Sequence, residues 1–274
     1  LSLALESWQK VLDLRPDYAP ALAGLATTRA LIVWNSSPEP DLVETAEAEA
    51  RRAIEIDPQH PDSYAALSMV YLMQGLLDTA EEMSNRSIEL APDDPWMLQT
   101  RARFQMERFG DFEGAERVAQ RATEIDPRHH PAWFQLGWAQ FELEQPDEAE
   151  ASFRQAISLR PDFGAGYLGL GTVLVGSGRF DEALLSLGKA LQIDPNALMA
   201  QYLRGIAYHK VDEPQRALDA FRLLVENNPQ HPLAAHALLG QAVQYQVLGD
   251  SAAQAEALLS AERGFKTIPG LWIN

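Results

Sequence analysis

The 274-residue chain is strongly acidic: 39 aspartate and glutamate residues stand against 22 lysine and arginine residues, for a formal net charge of −17. Such a charge repels phosphate backbones, so nucleic acid is not an expected partner. The chain has no cysteine, which excludes disulfides and thiolate metal sites and suits the cytoplasm and the periplasm equally. No stretch approaches the roughly 20 apolar residues that span a bilayer, so direct membrane insertion is not expected.

Two series of residues recur along the chain at a constant offset from each other. Each of seven alanines is followed twelve residues later by a proline, and the successive intervals are 42, 34, 35, 34, 34 and 34 residues. The alanines are Ala4, Ala46, Ala80, Ala115, Ala149, Ala183 and Ala217, and the prolines are Pro16, Pro58, Pro92, Pro127, Pro161, Pro195 and Pro229. This spacing predicts a repeat in which every unit is one supersecondary element that stacks on its neighbours.

The unit at 130–163 indicates what each repeat contains. Its apolar and small residues recur at helical spacing in two runs, which predict two amphipathic helices. The first run is Trp133, Leu136, Gly137 and Phe141, and the second is Ala149, Phe153 and Ala156. Small residues such as Gly137 and Ala149 suit a close helix crossing, and Pro161 ends the second helix.

The series of alanines and prolines, called below the alanine–proline ladder, divides the chain into eight segments and a tail. A partial repeat at 1–18 supplies only a second helix, and a unit with an insertion follows at 19–60. Five units occupy 61–94, 95–129, 130–163, 164–197 and 198–231. A terminal unit at 232–266 precedes a tail at 267–274. Because the chain begins inside a predicted helix, we expect it to be a fragment of a longer protein.

Three departures from the regular unit carry separate expectations. The unit at 19–60 is eight residues too long, which predicts a longer first helix and then a loop in the turn-rich stretch 35–40. The unit at 95–129 has one extra residue and places Arg101 and Gln105 in slots that are usually apolar, so we expect a rotated or less well packed first helix. The apolar tail either caps the last helix or leaves that end for a neighbouring module or a second copy.

The complete pattern resembles the tetratricopeptide repeat, which reads W-x2-L-G-x2-Y, then A-x3-F-x2-A, then P. Trp133, Leu136, Gly137 and Phe141 match the first half, and Tyr167, Leu170, Gly171 and Leu174 repeat it in the next unit. The resemblance covers essentially the whole chain. It implies an all-α fold, a right-handed superhelical solenoid of helix pairs, in which the first helix of each pair lines the concave side.

Candidate chemistry is sparse. The glycine run 169–178 lacks the strand that a dinucleotide fingerprint requires, and its glycines fall in the repeat's own crossing and turn slots. His60, His130 and His231 each precede a proline and lie a repeat or more apart, so they do not converge on a metal. No nucleophile stands beside a base. We therefore predict a protein that is not an enzyme and that uses no cofactor and no metal.

The resemblance also implies which side chains line the groove, because the second, fifth, ninth and twelfth slots of each first helix face inward. In this chain those slots are largely apolar and aromatic, and Trp138 stands out because the ninth slot is usually small and polar. The predicted peptide-binding residues are Met69, Leu72, Phe134, Trp138, Phe141, Leu168, Thr172, Tyr202, Ile206, His209 and His236. The expected ligand is a protein segment or peptide with apolar anchors and basic flanks.

The first hypothesis is a scaffold that binds such a segment. Two alternatives stay open at this point: a regulatory or sensory array within a larger bacterial enzyme or transcription regulator, and a self-assembly module that forms homo-oligomers through its uncapped ends. Only four of the 22 basic residues are lysine, which favours a bacterial genome rich in G and C. The sequence does not choose a compartment.

Overall fold

The computed structural model describes residues 2–35 and 40–267, and all regular secondary structure in these ranges is helical. The chain forms two compact units, residues 1–139 and 140–274. The helices that begin in unit 1 are α1 (Ser2–Leu14), α2 (Ala19–Asn35), α3 (Pro40–Ile56), α4 (Pro61–Met73), α5 (Leu77–Leu90), α6 (Pro95–Phe104), α7 (Phe112–Ile125) and α8 (His130–Glu142). Those of unit 2 are α9 (Pro146–Leu159), α10 (Gly164–Gly176), α11 (Phe180–Ile193), α12 (Leu198–Lys210), α13 (Pro214–Asn227), α14 (Pro232–Leu248) and α15 (Ser251–Thr267).

Consecutive helices pack as hairpins. In unit 1 the pairs are α2–α3, α4–α5 and α6–α7, and in unit 2 they are α10–α11, α12–α13 and α14–α15. First helices also pack side by side, α10 with α12 and α12 with α14. Below, "first helix" means an even-numbered helix from α2 to α14, and "second helix" means an odd-numbered one.

From α4 onward, the turn between a first helix and the second helix that follows it uses one left-handed residue. Gly75, Gly110, Gly178 and Gly249 have φ between 60° and 79°. After Gly75, Gly178 and Gly249 the next backbone N–H reaches five residues back to a first-helix carbonyl, as from Arg179 to Leu174 at 2.9 Å, which ends the helix with a Schellman motif. After Gly110 the corresponding bond spans six residues, from the Asp111 N–H to the Gln105 carbonyl at 3.1 Å. Two hairpins place Glu144 and Asp212 in the same position, where a side chain is less favourable than glycine.

Helices cross closely where one of them has a glycine, which carries no side chain. A Cβ atom on Gly205 would lie 2.5 Å from the Phe221 ring, and one on Gly240 would lie 2.7 Å from the same ring. Phe221 of α13 is 2% exposed and therefore has no free volume into which to move. The same arrangement recurs where Gly169 of α10 meets the Phe153 ring of α9, at 2.4 Å.

The extra residue of the 95–129 unit is absorbed locally. After α6, residues Gln105–Phe109 form a π turn, which holds one more residue than the corresponding stretch of α-helix. Phe104, immediately before it, is fully buried. The first helix is therefore well packed up to the π turn, contrary to the expectation from the sequence.

Two sequence expectations fall partly outside the described residues. Helix α2 is 17 residues long, whereas α4, α8, α10 and α12 have 13. The loop expected after α2 falls at residues 36–39, and the apolar part of the tail falls at 268–274, both outside the described ranges. Within those ranges, every helix is too short or too polar to cross a membrane.

Replacing Gly205 with alanine tests the crossing geometry. Because the new methyl group would collide with the buried Phe221 ring, we expect Gly205→Ala to lower the free energy of unfolding by about 1–3 kcal/mol. Gly188→Ala is the matched control, since a Cβ atom there meets nothing within 4 Å. We expect it to raise the free energy of unfolding by about 0.5–1 kcal/mol. Urea unfolding measures both, and equal effects would contradict the packing argument.

Candidate functional site

Six of the predicted groove residues lie on neighbouring first helices of unit 2. On α12, Tyr202, Ile206 and His209 share one helical face because they are four and seven residues apart. Leu168 and Thr172 share a face of α10, and the Thr172 hydroxyl donates to the Leu168 carbonyl at 2.9 Å. His236 of α14 lies beside Tyr202, with ring centroids 6.5 Å apart. All six are half-buried; we call this set the first-helix face of unit 2.

The remaining five predicted residues lie on two helices, α4 and α8. Phe134 and Trp138 of α8 are half-buried in unit 1, with rings in edge-to-face contact at 6.2 Å. Phe141, in the unit-2 part of α8, is half-buried, and its ring lies 4.0 Å from where a Cβ atom on Gly176 would be. Leu72 is half-buried against the unit-1 core.

Met69 does not offer the surface that was expected of it. Its side chain is only 6% exposed and belongs to the core cluster that contains Tyr71, Val70 and Phe104. A methionine side chain is long and unbranched, so it fills gaps in a core more readily than the short polar residue usual in this slot. Met69 therefore stabilises unit 1, and we remove it from the candidate ligand contacts.

Charge is distributed unevenly between first and second helices. Among the described first helices, only Asp62 and Glu142 are acidic, whereas every second helix carries at least two carboxylates. In unit 2 the contrast is complete, since α10, α12 and α14 contain no acidic residue. The large negative charge of the chain thus lies on second helices and turns, and the first-helix face of unit 2 is apolar with a few neutral polar groups.

Besides the Thr172 hydroxyl, three polar groups interrupt this apolar face. His209 Nδ1 lies 3.3 Å from the side-chain oxygen of Gln244, and His236 Nδ1 lies 3.3 Å from the Pro232 carbonyl. Burial raises the pKa of the Tyr202 hydroxyl, so this group stays neutral well into the alkaline range. The face can therefore offer hydrogen bonds without offering a carboxylate.

Gln244 was missed by the sequence analysis, although it orients His209. It is 1% exposed, and its amide nitrogen donates to the Gly240 carbonyl at 3.3 Å. The signal that could have found it is a glutamine at a buried position of the otherwise apolar helix α14, because a buried polar group needs a partner.

His60, His231 and the glycine run have structural roles. His231 accepts the Leu233 N–H at 3.2 Å and so caps α14, while His60 bonds the Ser63 hydroxyl at 3.0 Å. Gly169 lies at a helix crossing and Gly178 in a turn. Across residues 2–35 and 40–267, no group of three or more histidines and carboxylates comes close enough to hold a metal ion.

Comparison with known proteins supports the repeat assignment. Models of the tetratricopeptide repeat match residues 49–82, 130–163 and 168–232. Protein O-mannosyl-transferase TMTC3 of Homo sapiens is 35% identical over 112 residues, which are 40% of this chain and 12% of that protein. The STIP1 homolog of Dictyostelium discoideum is 33% identical over 85 residues, which are 31% of this chain and 15% of that protein. The chain thus spans a small part of the length of these relatives.

Solved structures match over more of the chain. The Cut9–Hcn1 hetero-tetramer of the APC/C superposes with a TM-score of 0.71 at 15% identity, over 84% of this chain and 44% of that one. PilF of Pseudomonas aeruginosa superposes with a TM-score of 0.61 at 17% identity, over 84% of this chain and 98% of that one. At such low sequence identities these matches support the fold alone. The bacterial source inferred from lysine usage therefore stays a prediction.

Consecutive helix pairs that cross at small residues, with first helices packed side by side, define a helical-hairpin repeat protein. The matches to repeat models, together with the fold, identify the family. The chain belongs to the tetratricopeptide repeat family, whose repeat regions typically mediate protein–protein interactions.

Alkaline titration tests whether Tyr202 is desolvated on this face. Because its folded-state pKa is raised, the unfolded chain loses this proton first as the pH rises above about 10, and stability is lost there. We expect the free energy of unfolding of the wild type to fall more steeply between about pH 9.5 and 11 than that of Tyr202→Phe. Parallel curves from urea titrations would show that Tyr202 is fully hydrated.

Proposed function

We propose that the chain is a non-enzymatic scaffold that binds a peptide or helical segment of a partner protein on its first-helix faces. The observation that carries this proposal is the charge distribution of unit 2. A chain with a net charge of −17 keeps every carboxylate off α10, α12 and α14. Solubility alone would favour acidic residues on any exposed surface.

The composition of the face supports a protein ligand. Tyr202 and Ile206 are half-buried and offer aromatic and aliphatic surface to the side chains of a partner. Binding energy in protein interfaces concentrates in such anchors, and a few polar groups among them fix orientation. Phe134 and Trp138 on α8 offer a second aromatic surface of the same kind in unit 1.

The ligand is expected to carry apolar anchors with basic residues beside them. The apolar face accommodates the anchors, and the carboxylates on second helices and turns attract the basic residues and increase the rate of association. The two alternatives, a regulatory array in a larger protein and a self-assembly module, stay predictions.

A carboxylate placed on the acid-free face tests this proposal. Peptides are first selected from a displayed library of random dodecamers with the wild-type chain as bait, and affinities are then measured by fluorescence anisotropy. We expect Thr172→Glu to weaken these peptides at least tenfold, since burying an unpaired charge against apolar anchors costs more than about 1.4 kcal/mol. Thr172→Val keeps the shape without the charge and should bind normally.

The matched control lies on a second helix. Leu185 of α11 is 74% exposed, so Leu185→Glu adds the same charge away from the proposed face. It should leave affinity within about twofold of the wild type. The proposal fails if no peptide is selected, or if Leu185→Glu weakens binding as much as Thr172→Glu does.

A further inference from the structure

The two histidines of the first-helix face have their protons fixed by their neighbours. Gln244 donates its amide N–H to the Gly240 carbonyl, so its Oε1 atom is the one that faces His209 at 3.3 Å. That oxygen only accepts, and His209 Nδ1 must therefore carry the hydrogen. In the neutral ring, His209 Nε2 is then an acceptor.

His236 also carries its hydrogen on Nδ1, because of a different contact. Its Nδ1 lies 3.3 Å from the backbone carbonyl of Pro232, which again only accepts. The hydrogen is on Nδ1, and Nε2 of the neutral ring is an acceptor. The ring is held edge-on against Tyr202 and Phe265, with centroids 6.5 Å and 5.2 Å away.

Both Nε2 atoms are available to a ligand. Within residues 2–35 and 40–267, neither atom has a hydrogen-bond partner, and neither is among the buried polar atoms that lack one. Both therefore face solvent. His231 provides a contrast in the same unit, because its Nδ1 accepts the Leu233 N–H and its hydrogen must lie on Nε2.

The offset of the two histidines along the helix axes follows from the packing of α12 against α14. Tyr202 lies beside His236, and His209, seven residues further along α12, lies beside Gln244. At the rise of an α-helix, seven residues span about 10 Å. That distance corresponds to about three residues of an extended peptide.

The charged groups around the histidines do not mask them. On α12 itself the basic residues are Arg204 and Lys210, and α10 and α14 contain no lysine, arginine, aspartate or glutamate. The second helices that pack against α12 and α14 present Asp181, Glu182, Lys189, Arg216, Asp219, Arg222, Glu226, Glu256, Glu262 and Arg263. Arg222 faces Asp219 at 3.9 Å, and Arg216 pairs with Glu213 at 2.6 Å.

We propose that His209 and His236 together bind two cationic hydrogen-bond donors, lysine or arginine side chains, about three residues apart on an extended partner segment. This inference rests on the proposed function. The Nε2 atom of each neutral ring accepts one of these hydrogen bonds. Each bond to a charged donor should contribute about tenfold in affinity.

The proton positions can be measured without any ligand. Long-range proton–nitrogen correlation spectra of the chain labelled with 15N-histidine distinguish the two neutral tautomers, and single His→Phe variants assign the signals. At about pH 8 we expect Nδ1–H tautomers for His209 and His236 and an Nε2–H tautomer for His231. An Nε2–H tautomer at either His209 or His236 would overturn the proposal.

Matched peptides test recognition itself. The tightest selected dodecamer is resynthesised with a pair of positions, three residues apart, carrying two lysines, two alanines or two glutamates. At about pH 7.5 we expect the lysine peptide to bind at least tenfold tighter than the alanine peptide. This preference should disappear in the double variant His209→Phe, His236→Phe, which keeps an aromatic ring at each position and removes the ring nitrogens.

The control variant is His231→Asn, which removes a histidine of the same unit and retains a capping side chain. It should keep the lysine preference. If the alanine peptide binds and lysine adds nothing, or if glutamate is preferred, the histidine proposal is overturned and the proposed function stands. If none of the three peptides binds, both fail.

Discussion

The Phe221 ring, held between Gly205 and Gly240, is the contact on which the arrangement of unit 2 depends. Two helices approach this closely only where one of them lacks a side chain. Here a single aromatic ring of α13 occupies the space left by two first helices, α12 and α14. It therefore sets the spacing within a hairpin and between neighbouring hairpins at the same time.

This spacing determines which surfaces remain for a ligand. Tyr202 and Ile206 pack on one side against the core cluster that contains Phe221, and together with His209 and His236 they remain only half-buried. This packing does not by itself require that α12 and α14 lack carboxylates. Their lack of carboxylates in so acidic a chain is therefore evidence about function, while the buried glycines are evidence about the fold.

The regular part of the fold could be predicted from the sequence because its determinants are local and repeated. The alanine–proline ladder predicted helix pairs, and turn glycines such as Gly178 predicted where hairpins close. The π turn at Gln105–Phe109 could not be predicted in the same way. An extra residue can be absorbed by a loop, a rotated helix or a π turn, and local sequence does not distinguish these; here a π turn follows the fully buried Phe104.

The positions of the candidate residues along the repeats could be predicted from the sequence, but the hydrogen positions on the histidine rings could not. Slot numbering identified His209 and His236, yet the proton position on each ring depends on Gln244 and on the Pro232 carbonyl, whose contacts exist only in the folded chain. For Met69 the sequence did not predict where the side chain lies. Its slot in the repeat predicted a groove residue, but the long and flexible side chain packs in the unit-1 core.

The most direct test of the account is a methyl NMR titration of the chain, labelled at isoleucine, leucine and valine, with the tightest selected dodecamer. The account predicts large shift changes for Leu168 and Ile206 on the first helices and unchanged signals for Leu185 and Leu223, which are exposed on second helices. Shifts confined to Leu185 and Leu223 would contradict it, because they would place the ligand on the acidic side of the hairpins.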